Sequence, residues 1–230
     1  MNKKIVFMGT SNFAVPILKS LYQNGFPISA VYTQPPKKSN RGLKVNKSPI
    51  HIFSETLSYE VRTPVTLKNN FEEKEIFQKL DADLVIVVAY GHIIPKDILK
   101  LSKNGFINIH ASQLPKWRGA APIQRSLMNQ DRETGISIMK INENLDEGPV
   151  YNTFSTKIKD NENASDLSIR LANIASEKIL NCLEDIFNNK AIFHEQDHNK
   201  ATYANKIEKF EGKILWEQDA KEILGKINGL

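Results

Sequence analysis

The chain has 230 residues, 40% apolar and 25% charged, enough apolar mass for one α/β domain or a domain with a small appendage, and too much for a disordered chain. The one cysteine, Cys182, excludes an intramolecular disulfide framework and a cysteine-cluster metal site, and no apolar run approaches the roughly 20 residues of a membrane span. The net charge of +5 is uneven: residues 1–54 hold eight Lys or Arg and no acid, while the remaining 176 residues hold 23 basic and 26 acidic side chains.

The opening MNKKIVFMGT has a short apolar run broken by glycine, the pattern of a strand and not of a signal peptide, so a cytoplasmic protein is expected. Lys4–Met8 is expected as a buried strand, with Ser11 or Asn12 capping a helix from Phe13 that ends at Asn24-Gly25. Ile28–Tyr32 is a second strand, and residues 34–48 (QPPKKSNRGLKVNKS) are expected as one turn-rich basic loop. A helix over Pro49–Leu57, a weak strand near Val65 and a helix over Glu72–Leu80 follow. Leu84–Ala89 (LVIVVA) is the clearest buried parallel strand, β-branched and unbroken. Phe106–Ile109 is a short strand, Ala121–Met128 a helix, Gly135–Ile141 and Pro149–Lys157 a pair of strands, and Ser165–Phe187 a long amphipathic helix with Cys182 on its apolar face. This alternation predicts an α/β fold with a doubly wound, mostly parallel sheet. Ligands then bind beyond the carboxyl ends of the strands, which selects Gly9–Phe13, Ala89–His92 and Asn108–Gly119.

The densest chemistry lies in Asn108-Ile109-His110 and the run that follows. Period-two alternation puts Asn108 and His110 on one side of the strand. A carboxamide that donates to a developing oxyanion, beside an imidazole that moves a proton, suits attack on a carbonyl. The plainer reading of an isolated N-x-H is a polar strand end. Asp146, in Asn144-Leu145-Asp146-Glu147-Gly148-Pro149, is better explained locally as a turn residue; its functional reading is a carboxylate that orients His110. The basic loop is by default a solvated surface, yet its length, its five cations (Lys37, Lys38, Arg41, Lys44 and Lys47) and its position after a strand end suit contact with phosphates. His92 follows a strand end without an evident partner, and Trp117 suits packing. His51, His194 and His198 lack metal-ligand spacing, so no metal is expected. Gly9-Thr10-Ser11-Asn12-Phe13 is not the G-x-G-x-x-G fingerprint of a dinucleotide site.

The segments FMGTSNFAVPIL, VVAYGHIIPKDIL, GFINIHASQLPKWRGAAPIQRSL, ETGISIMKINENLDEGPV and ATYANKIEKFEGKILW together resemble the methionyl-tRNA formyltransferase family over essentially the whole length. The resemblance implies a cytoplasmic, monomeric enzyme that moves a formyl group from 10-formyltetrahydrofolate to initiator methionyl-tRNA. It makes Asn108, His110 and Asp146 the catalytic residues. It also implies that Ser112, Gln113, Leu114 and Pro115 lie against the folate, with the Val88–His92 strand end (Val88, Ala89, Tyr90 and Gly91) walling the pterin pocket. Arg41 falls where the family carries an arginine in an insertion loop that meets the acceptor end of the tRNA, and Lys37, Lys38 and Lys44 are its expected neighbours there. Gln113 departs from a more usual leucine. The same resemblance divides the chain into a catalytic domain, 1–205, and the start of a linker, 206–230, to a β-barrel domain that this chain does not contain. Three other readings stay open: a sugar-nucleotide N-formyltransferase with the same donor, a formyl-folate hydrolase, and a non-catalytic nucleotide-binding module.

Overall fold

The computed structural model describes residues 3–39 and 44–230 and, for Lys38, Ser39 and Lys44, the main chain alone. The chain opens with β1 (Ile5–Gly9), α1 (Val15–Gln23) and β2 (Ile28–Tyr32). A short antiparallel hairpin, β3 (Lys37–Ser39) and β4 (Lys44–Asn46), precedes α2 (Pro49–Thr56), β5 (Val61–Arg62) and α3 (Phe71–Lys79). β6 (Leu84–Val88), α4 (Lys96–Leu99), β7 (Phe106–His110), β8 (Arg118–Gly119) and α5 (Pro122–Met128) follow. The chain then forms β9 (Glu133–Lys140), β10 (Val150–Lys157), α6 (Ala164–Phe187), β11 (Tyr203–Ala204) and α7 (Ala220–Gly229).

Seven strands form one sheet in the order β10-β9-β7-β6-β1-β2-β5. The five from β5 to β7 are parallel, and β9 and β10 extend the sheet antiparallel. Period-two alternation sorts the side chains into two cores. Ile5, Phe7, Leu84, Ile86, Val88, Ile107 and Ile109 face α1, α5 and α6. Val6, Met8, Ala30, Tyr32, Val85, Val87 and Phe106 face Phe77 of α3 and Ile98 of α4. Because strands covered on both faces must be apolar throughout, LVIVV carries no polar residue. The chain winds outward from β1 through β2 to β5, then returns to β6 on the other side of β1. The strand order thus reverses between β1 and β6, the position where this class of sheet opens a crevice.

Some local expectations need correction. The basic segment 34–48 is not one loop, because β3 and β4 pair with each other within it; polar residues on both arms hide such a hairpin from periodicity. The strand expected near Val65 lies at Val61–Arg62, and Val65 is exposed. Neither Ser11 nor Asn12 caps α1 through its side chain: a 3-10 turn over Asn12–Ala14 leads into the helix, with Pro16 in its first turn. α7 went unread because Gly225 and Gly229 interrupt its pattern. A Cβ at Gly225 would stand 2.8 Å from the Met128 carbonyl oxygen, so glycine is what lets α7 lie close against α5. Among the described residues no helix is long and apolar enough to cross a membrane.

Candidate active site

β7 ends in the crevice. Ile107 and Ile109 are buried in the α6 side of the core, which leaves Asn108 and His110 on the opposite side of the strand. Register sets their neighbours: Asn108 lies beside Val87 of β6 and Met139 of β9, and His110 beside Ser137. His110 is only 5% exposed.

Asp146 reaches this pair from the loop between β9 and β10. It sits in a turn with φ +50°, a left-handed conformation that aspartate tolerates better than most residues. Its Oδ1 accepts from Asn108 Nδ2 at 3.2 Å, and its Oδ2 accepts from the Gly119 main-chain N–H at 2.9 Å and lies 3.6 Å from His110 Nδ1. Asp146 is therefore a turn residue whose carboxylate also faces the strand end. Gly148 lets the loop fold this tightly, since a Cβ there would stand 1.9 Å from the Lys140 carbonyl oxygen.

The far side of the imidazole is also fixed. His110 Nε2 lies 2.8 Å from the carbonyl oxygen of Trp117. A carbonyl only accepts, so Nε2 carries the proton, and in the neutral ring Nδ1 presents its lone pair on the Asp146 side. Trp117 is half-buried, and its Nε1 donates to Asp131 Oδ2 at 2.7 Å.

The loop after β7 folds back over the end of β9. Ser112 is buried; its hydroxyl donates to the Lys116 carbonyl, and its own carbonyl accepts from Ser137 Oγ at 2.7 Å. Leu114 N–H donates to the same Ser137 Oγ at 3.0 Å, Gln113 Nε2 donates to Ser155 Oγ, and Pro115 accepts from Thr202 N–H at 3.3 Å. Beside β7, the end of β6 leaves the sheet through Ala89 (φ +45°) and Gly91 (φ +77°). Val88 is fully buried and Ala89 exposed. The Tyr90 carbonyl accepts from Thr10 Oγ1 at 2.8 Å and the Gly91 carbonyl from Gln34 Nε2 at 3.0 Å. Burial pushes the Tyr90 hydroxyl above its ordinary range. The His92 ring lies edge-on to Tyr90, and its Nδ1 has no hydrogen-bond partner among the described residues; burial first, and Lys37 second, pull its pKa down.

Lys37 donates to Gln34, which places the base of the basic hairpin against the β6 turn. Arg41, and the side chains of Lys38 and Lys44, lie outside the described residues. His51 sits on α2 beside Glu55, His194 pairs through its main chain with Val150, and His198 Nδ1 lies 3.3 Å from Arg118 Nη1. Among the described residues no three His, Cys, Asp or Glu side chains gather as a metal-ligand set.

Sequence reasoning did not identify Arg118 and Gln196 as site components. Arg118 is 1% exposed, yet it is charged. Its Nε and Nη2 donate to Gln196 Oε1 at 3.0 and 2.8 Å, and its Nη1 lies 3.2 Å from Glu147 Oε1. Arg118 stands inside the motif already singled out; Gln196 lies in a polar run, HEQDHNK, that gives no signal of its own.

A carboxamide, an imidazole and a carboxylate converge at the crevice of a doubly wound sheet, a set whose chemistry suits group transfer at a carbonyl. The family model described as "Formyl transferase" matches residues 3–183. A methionyl-tRNA formyltransferase from Pelagibacter ubique is 64% identical over 230 residues, which are 100% of this chain and 74% of that protein. One from Parvibaculum lavamentivorans is 42% identical over 227 residues, 99% of this chain and 73% of that protein. The chain belongs to the formyl transferase family. Among solved structures, the sugar 3N-formyl transferase WlaRD superposes with a TM-score of 0.75 at 21% identity over all of this chain and 79% of that one. An N-formyltransferase from Helicobacter canadensis gives 0.76 at 20% over all of this chain and 80% of that one. At those identities the likeness is one of fold.

Proposed function

We propose that this site transfers a formyl group from 10-formyltetrahydrofolate to the α-amino group of initiator methionyl-tRNA, the step that readies it for translation initiation. The convergence of Asn108, His110 and Asp146 carries the chemistry. The choice of acceptor rests on the 64% identity to a methionyl-tRNA formyltransferase.

The donor supplies an activated formyl carbon on a nitrogen leaving group. The residues around the crevice suit a flat heterocycle: Ala89 is exposed at the end of β6, above the buried Val88 and Tyr90, and the Ser112–Pro115 loop is pinned by Ser137. Asn108 keeps a second amide N–H for the formyl oxygen as its charge grows, while Asp146 holds the first. His110 Nδ1 takes the proton of the attacking amine and passes it to the departing nitrogen. The imidazolium formed in between is stabilised on both sides, by Asp146 at Nδ1 and by the Trp117 carbonyl at Nε2. Lys37, Lys38, Arg41 and Lys44 of the basic segment meet the phosphates near the acceptor end in this reading. Residues 1–205 make up the catalytic domain in this reading.

The test is a formyl-transfer assay with three arms: methionyl-tRNA, an amino-sugar nucleotide, and donor alone. Transfer to methionyl-tRNA is expected. Preferential transfer to the sugar, or formate release without acceptor, would overturn the assignment in favour of a sugar N-formyltransferase or a hydrolase.

A further inference from the structure

We infer that Gln196 is a positioning residue for Asp146, and that segment 196–204 holds both walls of the His110 imidazole; the inference rests on the function proposed above for that site. Gln196 is 7% exposed and stands 50 residues from Asp146 in sequence. Its Nε2 donates to two main-chain carbonyls of the Asp146 turn, Asp146 O at 2.9 Å and Gly148 O at 2.8 Å. Its Oε1 accepts the two N–H groups of buried Arg118. Because guanidinium only donates and carbonyls only accept, the amide can point one way only. Gln196 is thus a rigid bridge between Arg118 and the turn carrying Asp146. The next residue along from Arg118, Gly119, gives its N–H to Asp146 Oδ2, so both ends of the aspartate are tied to β8.

The same segment supports the other wall. Trp117 N–H donates to Thr202 Oγ1 at 2.9 Å, Arg118 N–H to Thr202 O at 2.9 Å and Ala120 N–H to Ala204 O at 2.8 Å. That strand pairing sets the Trp117 carbonyl which receives His110 Nε2. The family match ends at residue 183, before this segment begins. A displacement of about 1 Å in a catalytic group costs on the order of 100-fold in rate, so a turn carrying Asp146 at φ +50° needs such a support.

Gln196→Glu separates positioning from stability. A carboxylate keeps the pairing with Arg118 but cannot donate to the two carbonyls. The expected result is a kcat roughly 10- to 100-fold lower, with KM for donor and acceptor within about twofold and a Tm that is lowered by the lost buried hydrogen bonds but stays above the assay temperature. In the Asp146→Asn background the same change should add less than about twofold, because a residue that acts through Asp146 has nothing left to act on. Gln196→Met, of similar length and without donors, carries the same expectations if the glutamate variant does not fold. A kcat within about twofold of wild type, an equal loss in both backgrounds, or failure of both variants to fold would overturn the inference. Full activity of Asp146→Asn alone would instead overturn the role of Asp146.

Discussion

Asn108 is the residue on which the chemical reading stands most directly. One oxyanion donor is worth about 2.7–4 kcal/mol at the transition state and little in the ground state. Asn108→Ala should therefore lower kcat by roughly 100- to 1,000-fold while leaving KM nearly unchanged. A kcat within about threefold of wild type would show that another group receives the charge. At this scale the sequence was partly legible. Alternation alone put Asn108 and His110 on one side of a strand, because strand geometry is local. The arrival of Asp146, 38 residues from Asn108, was implied only by the family resemblance, since a turn composition says nothing of what a turn touches. The two carbonyl acceptors of Gln196 and the Trp117 carbonyl belong to the main chain, and no side-chain pattern marks them.

The strands that are buried on both faces were readable as elements within a residue or so, because continuous β-branched runs have few other stable uses. What failed were elements whose stability comes from a neighbour: β8 and β11, which exist only as each other's partner, and α7, which depends on contact with α5. The β3–β4 hairpin is of the same kind, and it changes how the basic residues should be tested. Pairing sets Lys37 opposite Asn46 and Lys38 opposite Val45, so the main chain that carries these residues is a ribbon and not a slack loop. Each phosphate contact contributes a slope of about −0.7 to −0.9 in log K against log salt. Replacing Lys37, Lys38 and Arg41 with alanine should flatten the salt dependence of tRNA binding by up to three such units, a slope change of roughly 2 to 3, with kcat at saturating tRNA largely kept. An unchanged slope, measured by filter binding across a salt series, would remove the hairpin from the interface.

Across the whole molecule, the chain after α6 is what closes the structure around its site. Residues 196–204 clamp the imidazole walls, and 205–230 are then fastened to α5. Arg125 makes that fastening: it donates to the Asn205 carbonyl at 3.1 Å and grips Glu211 through two N–H groups at 2.6 and 3.0 Å. The Arg125 guanidinium, and next the Glu208 main-chain N–H, hold the Glu211 carboxyl down at about 2. A carboxyl whose folded pKa is depressed stabilises at pH above its ordinary value of 4.5 and loses that contribution as pH falls through about 2. Glu211→Gln removes the charge at every pH. Its amides in residues 206–219 should exchange hydrogen faster than wild type at pH 6, and the difference should narrow as the pH falls from the ordinary carboxyl value toward about 2, where half the charge is gone. No gap at pH 6 would mean that the helix contact at Gly225, and not the ion pair, holds the segment down.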